Sequence, residues 1–158
     1  MSYTTAMIQL PLVKETNGHL VRTPEDVVRV CEDMRELAQE SFHVLTLSVK
    51  NRLINRHMIS LGLVDASLVS AREIYRPAVH DGASAIALAH NHPSGDPSPS
   101  AEDIRITRQL IEAGKIMDIK VLDHVIIGRC VNGFTVNSKD PNGKTFCSMR
   151  EDGLCCFS

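Results

Sequence analysis

The sequence predicts an α/β sandwich built on a mixed sheet, and three observations carry that prediction. Helical and strand-type hydrophobic patterns alternate along the chain. Ala85-Ile86-Ala87-Leu88-Ala89 is a short, wholly apolar run, as expected of a strand buried on both faces. A length of 158 residues with 43% hydrophobic residues suits one domain with a substantial core. Aromatics are scarce and Trp is absent, so Leu, Ile, Val, Ala and Met must fill that core.

Residues 1–22 read as a lead-in, with one short strand around Ala6 to Val13. Thr23-Pro24-Glu25-Asp26 is a helix start: Thr as N-cap, Pro at the first helical position, acids in the first turn. Val27, Val30, Cys31, Met34 and Leu37 recur at helical spacing, which carries the helix to about Gln39. Phe42 to Val49 and Leu53 to Leu61 are strand-like runs around Lys50-Asn51-Arg52 and predict an antiparallel hairpin. Ser70-Ala71-Arg72-Glu73 is a capping box that opens a second helix. Pro77 should kink or shorten that helix, and Asp81-Gly82 should close it.

The apolar strand at Ala85 to Ala89 runs directly into His90-Asn91-His92. Pro93-Ser94-Gly95-Asp96-Pro97-Ser98-Pro99 is a loop, and Ser100 opens a third helix through about Met117. Ile119 to Ile127 is a further strand, Asn132-Gly133 a tight turn, and Phe134 to Asn137 a closing strand. The expected domain is therefore 23–137. Residues 138–158 show little periodicity and read as a Cys-containing tail.

Charge and cysteine usage narrow the function classes. The formal net charge of -2 gives no global pull toward nucleic acid. The pairs Arg52 with Arg56 and Arg105 with Arg108 read as solvated faces. Five cysteines, an odd number without any C-x-x-C spacing, argue against a disulfide framework and a zinc finger. That usage points to a cytoplasmic protein. The first residues lack a basic, apolar signal-peptide pattern, and no run of 18 apolar residues predicts a membrane span.

The chemistry concentrates at His90-Asn91-His92-Pro93 and, after the Pro/Gly loop, Ser100-Ala101-Glu102-Asp103. Residues i and i+2 at a strand end point to one side, about 6.5 Å apart at ~3.3 Å per residue. Two imidazoles can converge on one ion from there, and the next helix's first turn brings Asp103 as a third ligand. Two His and one carboxylate, with one position left to water, form a catalytic-type zinc site. Such a site makes hydroxide available near neutral pH, and it needs a carboxylate to carry the proton and a donor for the oxyanion. Each part also has a plainer reading. Ser100-x-x-Asp103 is equally a helix cap, an H-x-H pair is often only exposed, and the loop alone is a turn.

These residues resemble the JAMM (JAB/MPN) metallohydrolases, whose pattern is an upstream Glu, then H-x-H-P, then S-x-x-D. Ala89-His90-Asn91-His92-Pro93-Ser94-Gly95-Asp96-Pro97, with Leu122-Asp123-His124, is similar to the RadC-like group, and the likeness runs from about Thr23 to Asn137. The resemblance implies a deaminase-like three-layer α/β/α sandwich with a mixed sheet. It implies Zn2+ held by His90, His92 and Asp103, with Ser100 steadying the tetrahedral intermediate. It implies Glu40 as general base, with Glu36, one helical turn away, as competitor; Glu73 reads as the capping-box acid. The implied activity is hydrolysis of an amide or isopeptide bond by a zinc metallopeptidase. The alternative is a DNA-repair-associated or nucleic-acid-processing accessory protein.

Two departures stand out. There is no room before Thr23 for the helix-hairpin-helix region common in that group, and Ser48 stands where Asp is frequent. His124 reads either as a residue orienting a ligand or as a satisfied histidine in a buried strand. His19, His43, His57 and His80 read as structural or surface residues. The expected partner is a peptide or protein substrate. Nucleic acid is less favoured, no membrane partner is expected, and self-association through an exposed edge strand stays open.

Overall fold

The computed structural model describes residues 18–62, 69–131, 134–135 and 143–157. The strand expected near Ala6 to Val13 lies outside them, as does the Asn132-Gly133 turn. Helix α1 spans Pro24–Val30. Its capping box is complete: Thr23 Oγ1 accepts from Asp26 N at 3.3 Å, and Asp26 Oδ2 accepts from Thr23 N at 3.0 Å. The helix is shorter than its periodicity predicts. Cys31 leaves the helical region, a 3₁₀ turn follows over Glu32–Glu36, and Leu37 is extended. Tertiary contacts override propensity here: Met34 is fully buried, and the Arg35 guanidinium donates to the carbonyls of Gly128 and Thr145 at 2.9 and 3.0 Å.

Strands β1 (Ser41–Leu47) and β2 (Leu53–Leu61) form the predicted antiparallel hairpin. Ser48 serves its turn, its hydroxyl accepting from the Lys50 and Arg52 amides at 3.3 and 3.2 Å. Helix α2 (Ala71–His80) starts at the Ser70 capping box with Glu73 as its acid, and tolerates Pro77 three residues before its end. β3 (Ala85–His92) is longer than the apolar run and carries both histidines within it. α3 spans Ala101–Met117 from the N-cap Ser100, and β4 spans Lys120–Gly128.

Among the described residues, the short strands β5 (Cys130–Val131) and β6 (Phe134–Thr135) pair only with each other. The strand expected over Phe134 to Asn137 therefore does not close the main sheet. That place is taken by β7 (Phe146–Ser148), from the segment set apart in sequence as a tail, which pairs antiparallel with β4. Among the described residues the sheet is five-stranded, in the order β2-β1-β3-β4-β7. It is mixed: β1 runs antiparallel to β2 and β3, and β3 runs parallel to β4.

Strand alternation sends side chains to two separate cores. Phe42, Val44, Ile86 and Leu88 pack with Ile74, Tyr75 and Ala78 of α2 and Ile106 and Leu110 of α3. Leu45, Leu47, Ala85, Ala87 and Ala89 pack with Val27 and Val28 of α1 and with Met34. The sheet is thus covered on both faces, which is the α/β layering the sequence predicts. Small alanines on one side of β3 let α1 and the 3₁₀ turn lie close, while the other side holds the bulkier Ile86 and Leu88.

Candidate metal centre

His90 and His92 end β3 and share the face that carries Ile86 and Leu88. Their Nε2 atoms are 2.9 Å apart. Asp103, in the first turn of α3, places Oδ1 3.4 Å from His90 Nε2 and Oδ2 3.5 Å from His92 Nε2. One ligand atom from each of the three lies within 4.8 Å of the others. Donors bonded to one tetrahedral zinc at ~2.0–2.1 Å stand roughly 3.3 Å apart, so the spacing and the donor set fit such an ion. His90 and Asp103 are each only 4% exposed, so this cluster is walled off from solvent on most sides.

The plainer reading of Asp103 holds as well. Ser100 N donates to Asp103 Oδ2 at 2.8 Å, and Asp103 N donates to Ser100 Oγ at 3.0 Å. The cap and the cluster use one carboxylate: the helix start holds Asp103 in the orientation that faces the histidines. The Ser100 hydroxyl accepts in this bond, which leaves its own proton free, and Ser100 is exposed.

The electrostatics follow from this packing. Burial alone would raise the Asp103 pKa, but the adjoining His90 and His92 imidazoles, with the Ser100 amide, outweigh it and hold the carboxyl far below its usual range. Burial would likewise depress the His92 pKa. Asp103, the Asp96 carbonyl and the charge of Glu40 outweigh it and raise that pKa. His92 Nδ1 donates to the Asp96 carbonyl at 2.9 Å, which fixes its tautomer and leaves Nε2 for an ion. The loop that supplies Asp96 sits tightly on the end of β4. A side chain at Gly128 would collide with the Gly95 carbonyl.

Glu40 is half-buried directly before β1, and Glu36 is exposed on the 3₁₀ turn. The Glu40 backbone is held from both sides by Asn91, whose Oδ1 accepts from Ser41 N at 2.7 Å and whose Nδ2 donates to the Gln39 carbonyl at 3.0 Å. A further chain fixes Asn91 itself. Arg56 Nε donates to His43 Nδ1 at 3.1 Å, His43 Nε2 donates to Ser41 Oγ at 3.2 Å, and Ser41 Oγ donates to Asn91 Oδ1 at 3.0 Å. Burial lowers the His43 pKa to about 4, and the Arg56 charge lowers it too.

His124 is fully buried beside the cluster. Its Nε2 lies 2.8 Å from His90 Nδ1, and its Nδ1 lies 2.6 Å from Thr107 Oγ1. Thr107 Oγ1 in turn donates to the Asp103 carbonyl at 2.6 Å. Phe42 stacks on His90 at 5.7 Å and meets His124 edge-on at 5.3 Å. Burial pushes the His124 pKa well down, and the charge of His90 adds to this. Asp123, also buried, accepts from His124 N, Arg150 N and Ser148 Oγ at 2.7, 3.1 and 2.6 Å. Burial raises its pKa against those bonds.

Asn91, Thr107, Ser41 and Phe42 were not among the residues singled out by sequence, and they leave no spacing rule. Asp123 does leave a signal: an acid inside an apolar strand must find partners when buried. One arginine of each pair is engaged by an acid. Arg56 forks onto both carboxylate oxygens of Asp33 at 2.7 and 3.0 Å, and Arg105 pairs with Glu102. His57 bonds Asp81 at 2.6 Å, away from the cluster.

A family profile described as a RadC-like JAB domain matches residues 21–153. A UPF0758 protein of Caldanaerobacter subterraneus subsp. tengcongensis is 49% identical over 121 residues, covering 76% of this chain and 52% of that protein. One from Halalkalibacterium halodurans is 41% identical over 147 residues, covering 92% of this chain and 57% of that protein. One from Bacillus cereus is 48% identical over 113 residues, covering 71% and 50%. The chain thus spans about half the length of the curated relatives it matches.

Proposed function

The chain belongs to the RadC-like JAB domain family, and on that premise we propose that it is a zinc-dependent hydrolase acting on a peptide or isopeptide bond. The single observation that carries this reading is the His90-His92-Asp103 group, with His90 and Asp103 buried and one ligand atom from each residue within 4.8 Å of the others. Zinc is favoured because two imidazoles and one carboxylate leave a position open, the arrangement of catalytic rather than structural sites. When bound, the ion would supply a Lewis acid and lower the pKa of water to near neutrality.

The chain's own residues would do the rest. His90, His92 and Asp103 hold the ion. Glu40, whose charge is felt at His92, takes a proton from the attacking water and returns it to the leaving amine. Ser100 donates its free hydroxyl proton to the oxyanion. Asn91 keeps Glu40 in place through the backbone on either side of it. β2 ends beside this site, where Gly62 N donates to the Glu40 carbonyl at 2.7 Å, and no described strand pairs with its outer side. That edge is where an extended peptide, or a second copy of the chain, would add as a further strand.

A cytoplasmic setting goes with this reading. Among the described residues, Cys31, Cys147, Cys155 and Cys156 are all free thiols, and no helix is long and apolar enough to cross a membrane. One arginine of each pair, Arg56 and Arg105, is engaged by an acid, which weakens the nucleic-acid alternative.

The test is cleavage of a peptide library and of isopeptide-linked substrates by the zinc-loaded protein, read by mass spectrometry. Cleavage that disappears in Glu40→Gln while zinc is retained supports the assignment. Cleavage at an unchanged rate in that variant removes Glu40 from the mechanism. DNA binding with a steep salt dependence and no cleavage would favour the alternative.

A further inference from the structure

We infer that His124 is a positioning residue that fixes the tautomer of His90, so that His90 presents a bare Nε2 to the ion. This rests on the metal-site reading above. It starts from the acceptor at the far end of a hydrogen-bond chain. A backbone carbonyl can only accept, so the 2.6 Å contact between Thr107 Oγ1 and the Asp103 carbonyl uses the single hydroxyl proton of Thr107. At its 2.6 Å contact with His124 Nδ1, Thr107 Oγ1 must then accept, and the proton sits on Nδ1. A neutral imidazole carries one ring proton, so with that proton on Nδ1 the Nε2 of His124 is a bare acceptor. Across 2.8 Å it receives the Nδ1 proton of His90. A neutral His90 with its proton on Nδ1 has its lone pair on Nε2, the atom that faces His92 and Asp103.

The chain begins and ends on ligands. Asp103 contributes its carboxylate to the ion and its carbonyl to the relay that orients His90. A shift of the first turn of α3 would thus disturb two ligands together.

His124 reaches this face only because β4 carries an irregularity. Ile86 pairs with Val121, but two residues on, Leu88 pairs with His124, three residues on. The extra residue is a bulge, which re-aims the side chains beyond it. Val121 and Ile126 accordingly share one core, although strict alternation would part them. Asp123 holds the bulge by accepting the His124 amide at 2.7 Å. Without it, His124 would point to the α1 side of the sheet.

The test uses the full chain labelled with 15N on histidine, with long-range 15N–1H correlation spectra of the imidazoles in metal-free and zinc-loaded protein. His124 is expected as the Nδ1–H tautomer in both. Zinc affinity, by chelator competition, is expected to weaken about 10–100-fold in Thr107→Val and to be kept in Thr107→Ser, which restores the hydroxyl. If the wild type binds no zinc, the metal-site reading fails, and the His124 tautomer of the metal-free protein still decides this inference. A proton on His124 Nε2, or wild-type zinc affinity in Thr107→Val, overturns it.

Discussion

Asn91 lies between the two histidines in sequence, yet its side chain turns to the other face of the sheet and clasps the backbone on both sides of Glu40. The strand that carries two candidate ligands thereby also fixes the candidate base. Asn91→Ala removes partners from the buried Ser41 amide and hydroxyl and from the Gln39 carbonyl. Lost and unsatisfied hydrogen bonds of this kind cost about 1–3 kcal/mol. Chemical denaturation should show that loss, while zinc content stays at the wild-type level.

Asp103 has two roles that can be separated. Asp103→Asn keeps an oxygen for the Ser100 amide but removes the charge between the histidines. The helix cap is worth about 1 kcal/mol, so only a fraction of that should be lost in stability. Zinc binding should fall to background in a metal-content assay.

Ser100→Ala removes the acceptor of the Asp103 amide and should cost about 1 kcal/mol by denaturation. Its effect on turnover should be larger, about 10²–10³ in kcat, if the hydroxyl meets the oxyanion. A rate loss no bigger than the stability change explains would leave Ser100 as a cap alone.

The His43 pKa of about 4 gives a pH dependence with a defined sign. Unfolded, the group titrates near 6.5, so its neutral form stabilises the fold above pH 6.5 and that contribution is lost as pH falls toward 4. At pH 5 the loss from this group is on the order of 2 kcal/mol relative to pH 7. Denaturation at the two pH values should show it, and His43→Gln should narrow the difference by a similar amount.

Asp123 ties the bulge of β4 to the segment after β7 through Ser148 and the Arg150 amide. Asp123→Ala strands three donors and should cost about 3 kcal/mol or more. Amide exchange should rise first at residues 146–150 if β7 detaches.

Much of this was legible in the sequence, for identifiable reasons. The apolar run before His90, the capping boxes at Thr23, Ser70 and Ser100, and the alternation around Lys50-Asn51-Arg52 are local patterns, and local patterns survive folding. The H-x-H and S-x-x-D residues meet because strand and helix geometry are regular on both sides of the loop. What sequence could not show depends on contacts distant along the chain. Arg35 reaches Gly128 and Thr145, which ends the first helix early. β7 is only three residues long and owes its place to β4 and Asp123. Asn91 and Thr107 work through partners 52 and 17 residues away or through a bulge, and no periodicity encodes those.

His90, His92 and Asp103 are expected to hold one zinc ion. Elemental analysis of purified wild type beside His90→Ala tests it most directly. About one zinc per wild-type chain is expected, with its loss in the variant. A wild-type protein that takes up no zinc at neutral pH, even when zinc is supplied, would rule out this metal centre and leave Ser100 and Asp103 as a helix cap.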